Sequence, residues 1–136
     1  MTDRDLTILL CQLLGTVPGW HWNPTAGTPS GVGVFYGSIP ERPDQAIGVR
    51  VYGGSDDAVV YEPQRRVQLR IRGARGRPDG ADELAAVAFT VLQGARPPGV
   101  SWIERTSFGP LGADTNGREE RTDNYLISLD NQEATQ

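Results

Sequence analysis

The 136-residue chain has no lysine: all thirteen of its basic residues are arginine. Together with 17 glycines and 10 prolines, this bias fits a GC-rich coding genome. It also means that every cationic contact uses a guanidinium, which can pair bidentately with a carboxylate. A single cysteine, Cys11, excludes an internal disulfide. A single histidine, His21, sits between Trp20 and Trp22 with no second histidine to help it hold a metal, so its expected role is structural. No apolar run approaches the roughly 18 residues that suggest a membrane span. The net charge of −4 argues against a general binder of nucleic acid or anionic membranes. The opening MTDRDL lacks the basic region and small-residue cleavage site of a signal peptide, and a cytosolic origin is expected. The length is that of one domain.

What is present is periodicity. Leu6, Leu9, Leu10, Leu13 and Leu14 recur at helical spacing, so Asp3 to Leu14 reads as a helix with Asp3 as its cap and Gly15 as its end. PGWHWNPTAGTPSG, from Pro18 to Gly31, reads as a loop that Trp20 and Trp22 pin to the core. Short strands follow at Val32 to Tyr36 and Ile47 to Tyr52, with GSIPERPDQA as a turn-rich connector between them and a short extension at Val59 to Tyr61. In RRVQLRIRG, Val67, Leu69 and Ile71 alternate with Arg66, Gln68, Arg70 and Arg72, which marks a strand with one apolar and one basic face.

After the loop GARGRPDGADE, a second helix is expected from Ala81 to Leu92, capped by Asp79 or Asp82. Leu84, Val87, Ala88, Val91 and Leu92 form its apolar face. Val100 to Phe108 reads as a strand, Gly109 to Asp123 as a long polar loop, and Asn124 to Leu129 as a last strand. Residues 130–136 read as a frayed tail. The order is helix, three strands, helix, two strands. This is an α+β domain spanning 1–136, a mixed or antiparallel sheet of about five strands with both helices on one face.

Catalytic chemistry finds no foothold. Cys11 lies among the helix leucines with no positioned base, which is the setting of a small core hydrophobe. Gly31-Val32-Gly33 is not followed by the helix that a phosphate cradle needs, and GARGRPDG lacks the ending of a P-loop. ADTNGREE does not have EF-hand spacing, and the adjacent carboxylates Asp56-Asp57 and Glu119-Glu120 lie in glycine-rich segments as solvated groups usually do. No catalytic residue, cofactor or metal ligand is assigned, and the residues alone leave an α+β domain with no visible active site.

Three stretches carry a resemblance. They are GSIPERPDQAIGVRVYGG, RRVQLRIRGARGRPDGADELAAVAFTVLQG and FGPLGADTNGREERTDNYLISL, in this order after a short leucine-rich helix. Together, over Leu6 to Leu129, they resemble a family of small head–tail joining proteins of long-tailed bacteriophages, the tail terminators or minor capsid proteins. The resemblance implies a structural virion protein made in the host cytoplasm and placed at the head–tail junction, there forming a ring, commonly a hexamer. Such a ring sits on the last ring of the tail tube, stops tube growth and meets the filled head. The implied partners are further copies of the chain, the major tail tube protein and a head-completion or stopper protein. DNA is present only as passing cargo, and no membrane is involved. An arginine-only composition suits a phage of a GC-rich host such as an actinobacterium.

On this reading the basic strand face is an interface between copies. Arg66, Arg70 and Arg72 are expected to meet Glu119 or Glu120 of the next copy. A solvated strand face is the competing expectation. Trp20, Trp22, Asp114 and Arg118 are expected to contact the tail tube or a neighbour from loops, at least one of which orders only on assembly. The alternatives are a head-completion or stopper protein on the portal side, an enzyme with a loop-borne acidic site, and a monomeric binding module built on the tryptophan loop.

Overall fold

The computed structural model describes residues 1–24, 31–56 and 62–130. Helix α1 spans Asp3–Leu14, and four strands follow: β1 Trp20–Trp22, β2 Val32–Tyr36, β3 Ala46–Ser55 and β4 Gln64–Arg75. Helix α2 spans Gly80–Leu92 and leads to β5 Val100–Ala113 and β6 Arg118–Leu129. The six strands form one mixed sheet in the order β1-β2-β3-β4-β6-β5. β1, β2 and β3 run parallel, and the remaining neighbours are antiparallel. Both helices pack on the same face over one apolar core, an α+β fold as expected.

The first helix is capped one residue before the expected position, by Thr2 rather than Asp3. Thr2 Oγ1 accepts from the Asp5 N–H at 3.0 Å while the Asp5 carboxylate accepts from the Thr2 N–H at 3.3 Å. This reciprocal capping box satisfies two orphan donors, which Asp3 at the first helical position does not do. Leu6, Leu10, Cys11 and Leu14 are buried beneath it. On α2, Asp79 occupies the cap position without capping, because its carboxylate is engaged by Arg77 at 3.1 Å. The buried stripe of α2 is Ala81, Leu84, Ala85, Ala88 and Leu92, whereas Val87, expected on the apolar face, is 38% exposed. The alanines turn inward because small side chains let the helix lie close to the sheet.

Two expected loops are strands. Trp20–Trp22 pairs in parallel with Val32–Val34, and Trp20 is buried. Gly109 to Asp123 is not a loop: β5 and β6 run through it on either side of a turn at residues 114–117. Gly117 sits at φ 70°, a left-handed position that glycine adopts without strain, as tight hairpins require. Three register shifts along β5, with Gly109, Pro110 and Gly112 near its end, break the alternation by which a strand is recognised. The suggested extension at Val59 to Tyr61 lies outside the described residues.

Candidate assembly surface

The strand that carries the basic alternation is central, and its two faces differ sharply. Val67, Leu69 and Ile71 are buried beneath the helices. Arg66, Gln68, Arg70 and Arg72 point to the other face. The register sets Ala46, Gly48 and Arg50 of β3 beside them on one side, and Glu120, Thr122, Asn124 and Leu126 of β6 on the other.

Half of that face is covered by the chain itself. The connector between β2 and β3 doubles back across the sheet. A Cβ at Gly48 would collide with the Gly37 carbonyl oxygen, and one at Gly33 would come within 2.9 Å of the Pro43 ring. Glycine at both positions lets the connector lie flat. Arg72 then ties it down. Its Nε donates to the Asp44 carbonyl at 2.8 Å, and its Nη2 donates to the carbonyls of Pro40 at 2.8 Å and Pro43 at 2.7 Å. Only 6% of Arg72 is exposed. Burial, and then the neighbouring Arg118 charge, push its guanidinium below the ordinary arginine value.

Arg118 fastens the same connector from the hairpin. Its side chain is 2% exposed and donates to Asp114 Oδ2 at 2.8 Å, to the Glu41 carbonyl at 2.8 Å and to Asp44 Oδ1 at 3.1 Å. Asp114 in turn accepts from the backbone N–H groups of Asn116 and Arg118, both at 2.9 Å, which shapes the turn. The Arg118 N–H, above all, holds the Asp114 carboxyl below the usual carboxylate range. Partial burial acts against the same shift at Asp44, and the Arg75 and Arg118 guanidiniums overcome it.

The other half of the face, across β4, β6 and β5, is open and polar. Gln68 Nε2 donates to Asn124 Oδ1 at 3.2 Å, and Asn124 Nδ2 donates to Ser107 Oγ at 3.0 Å, a ladder across three strands. Arg70 Nε reaches Glu120 Oε1 of the same chain at 3.0 Å, with 55% of the arginine side chain exposed. Arg66 is exposed, and among the described residues no carboxylate pairs with it. The same holds for Arg50, which lies over the Tyr36 ring at 5.8 Å.

The residues singled out in the sequence are therefore divided. Arg66, Arg70 and Glu120 share the open face. Arg72 is enclosed beneath the connector. Glu119 falls on the opposite side of β6 from Glu120, since successive side chains alternate. Trp20 is buried and Trp22 packs against the core, so neither projects from a loop. Asp114 and Arg118 hold the hairpin turn and the connector. His21 is exposed, and Cys11 is in the core, where burial pushes its thiol up to about 12.

A second cluster lies on the helix side of the hairpin. Asp123 is 0% exposed and accepts from Arg121 Nε at 2.7 Å and Arg105 Nη1 at 3.4 Å. Phe108 lies between these two guanidiniums at 4.6 Å from each, and Arg105 also stacks on Phe89 at 4.3 Å. Sequence reasoning missed this cluster by treating Gly109 to Asp123 as a loop. The signal was available, because Asp123 continues the inward series Tyr125, Ile127, Leu129 by two.

Among the described residues, no group of three or more His, Cys, Asp or Glu is placed to hold a metal ion, and no helix is long and apolar enough to cross a membrane. The arrangement offers an open, largely polar sheet face on which Arg66 and Arg70 are exposed. Comparison with known proteins agrees with a virion part. No curated protein matches the chain. Among solved structures, the fold resembles a chain of the "Virion of native gene transfer agent (GTA) particle". The two are 12% identical, with a TM-score of 0.53 over 89% of this chain and 84% of that one, and at this identity the likeness is one of fold. The family model described as "Bacteriophage tail terminator protein" matches residues 14–131. That match takes in every strand and the second helix and leaves out all of α1 but Leu14, and on it the chain belongs to the bacteriophage tail terminator family.

Proposed function

We propose that this chain caps the tail tube of a long-tailed phage as a ring of identical copies, six by preference, stops tube growth there and joins the tail to the DNA-filled head. The observation that carries the reading is the family match over residues 14–131. The open face of β4, β6 and β5 supports it. A single sheet layered by helices on one side leaves the other side to a neighbour, and a ring supplies one through a heterologous, closing contact. Arg66 is the guanidinium on that face available for the contact, since Arg70 is paired with Glu120 of its own chain, and the exposed tip of the β5–β6 hairpin is offered to the tail tube. The partners are further copies, the major tail protein and a head-completion protein, with DNA passing through the ring.

The test is to add the purified chain to isolated tail tubes and to image the tube ends. A ring at one end of each tube, with tube length then fixed, is the expected result. Tubes that continue to grow with bare ends in the presence of the chain would refute it. The mass of the free protein by light scattering complements this, a value near six times 14.8 kDa marking a ring that exists before the tail.

A further inference from the structure

We propose that the open face of one copy docks on the acidic strand end of the next, with Arg50 and Arg66 as the basic side of the contact. The inference deepens the ring reading and rests on it. At the end of the sheet where β3 finishes and β4 begins, Arg65 Nε pairs with Asp3 at 2.7 Å and its Nη2 with Asp56 at 2.7 Å, which draws the start of α1 to the strand ends. The Leu129 N–H donates to the Pro63 carbonyl at 2.8 Å, so Glu62 and Asp130 flank the same end. Asp3 and Asp56 are 60% and 70% exposed, and Glu62 and Asp130 are exposed with no ion pair among the described residues. Arg65, 15% exposed, is spent on its two carboxylates. The strand end is thus acidic, while Arg66 on the open face and Arg50 beside it on β3 are exposed guanidiniums with no carboxylate partner among the described residues.

Two unlike surfaces of opposite charge on one chain make a heterologous pair. Face-to-face docking is the competing geometry. It would set Arg66 of each copy against Glu104 of the other, because Leu126 lies between the two across the sheet. It would leave Arg50 unmatched and would close at two copies, which is not a ring.

The test is a charge swap in the full chain, read by light scattering at ionic strengths of about 0.05 M and about 0.5 M. Arg66→Glu alone is expected to weaken self-association at least tenfold at the lower salt, as is the double variant Glu62→Arg/Asp130→Arg. An equimolar mixture of the two is expected to restore it, since each then offers the surface the other needs. Arg66→Gln, with a smaller loss and an unchanged melting temperature, guards against misfolding. Arg66→Glu associating like the parent would overturn the proposal. So would rescue by Glu104→Arg in place of the strand-end variant, or a parent chain that stays monomeric at both salts. A failed swap with rings still seen on tube ends would sink this contact and leave the capping role standing.

Discussion

Arg118 should be far more expensive to remove than a surface arginine. In Arg118→Met the aliphatic stem survives and its packing is largely kept. What is lost is a guanidinium that is 2% exposed and bonded to Asp114, Asp44 and the Glu41 carbonyl at 2.8 to 3.1 Å. Removing one partner of a fully buried ion pair costs about 3–5 kcal/mol, most of it the penalty on the charge left behind. Here the abandoned carboxylates can reach water, since Asp114, Asp44 and Glu41 are 20%, 39% and 69% exposed. That relief lowers the expected loss to about 2–3 kcal/mol. Arg70→Met is the control. Its pair with Glu120 lies at the surface, and such pairs are worth about 0–1 kcal/mol. Urea unfolding reads both. With an m-value of about 1–3 kcal/mol/M, the Arg118 variant should lose roughly 1–2 M in midpoint at unchanged slope, and the Arg70 variant little. The connector should also loosen, so a glutamate-specific protease should cut after Glu41 in the Arg118 variant well before the parent. Equal midpoints for the two variants would refute the reasoning.

Three further outcomes follow from particular side chains. Tyr125 is 1% exposed and its hydroxyl has no hydrogen-bond partner among the described residues, so Tyr125→Phe should be neutral or stabilise by up to about 1 kcal/mol in urea; a clear loss would mean that the hydroxyl is bonded after all. The folded Asp114 carboxyl lies below its ordinary value of 3.8, so its contribution is present above that pH and is lost as pH falls through the lower folded value. Melting temperatures of Asp114→Asn should therefore fall less steeply than those of the parent below about pH 4, and parallel curves would count against this account. The buried Cys11 thiol, raised to about 12, should resist an aromatic disulfide reagent in the native protein at pH 8 and react fully in denaturant; fast native labelling would place it outside the core.

The elements that the sequence displays clearly are those whose periodicity is local. The leucines of α1 and the alternation of β4 each declare a buried face within a dozen residues, and both are where they were expected. Trp20–Trp22 is too short to show a period, and it is a strand only because Val32–Val34 lies beside it. β5 hides its alternation behind bulges, whereas β6 alternates without a break and its inward charges, Arg121 and Asp123, read as loop residues because a buried face is recognised by apolar side chains.

The basic face of β4 shows the limit most plainly. Arg66, Arg70 and Arg72 are equivalent by alternation, and no rule of spacing separates them. What separates them is the path of the connector, whose contact with Arg72 spans 28 to 32 residues. A guanidinium that already satisfies its own chain's carbonyls beneath a covering loop has few donors left for a neighbour, and reaching it would first require lifting that loop. One that lies exposed with no carboxylate beside it can be desolvated and paired on contact. A search for the surface between copies should therefore begin at Arg66 and Arg50 and treat Arg72 as part of the fold. Substituting Arg72 would impair assembly only by way of stability, whereas substituting Arg66 should leave the melting temperature alone and act on association directly.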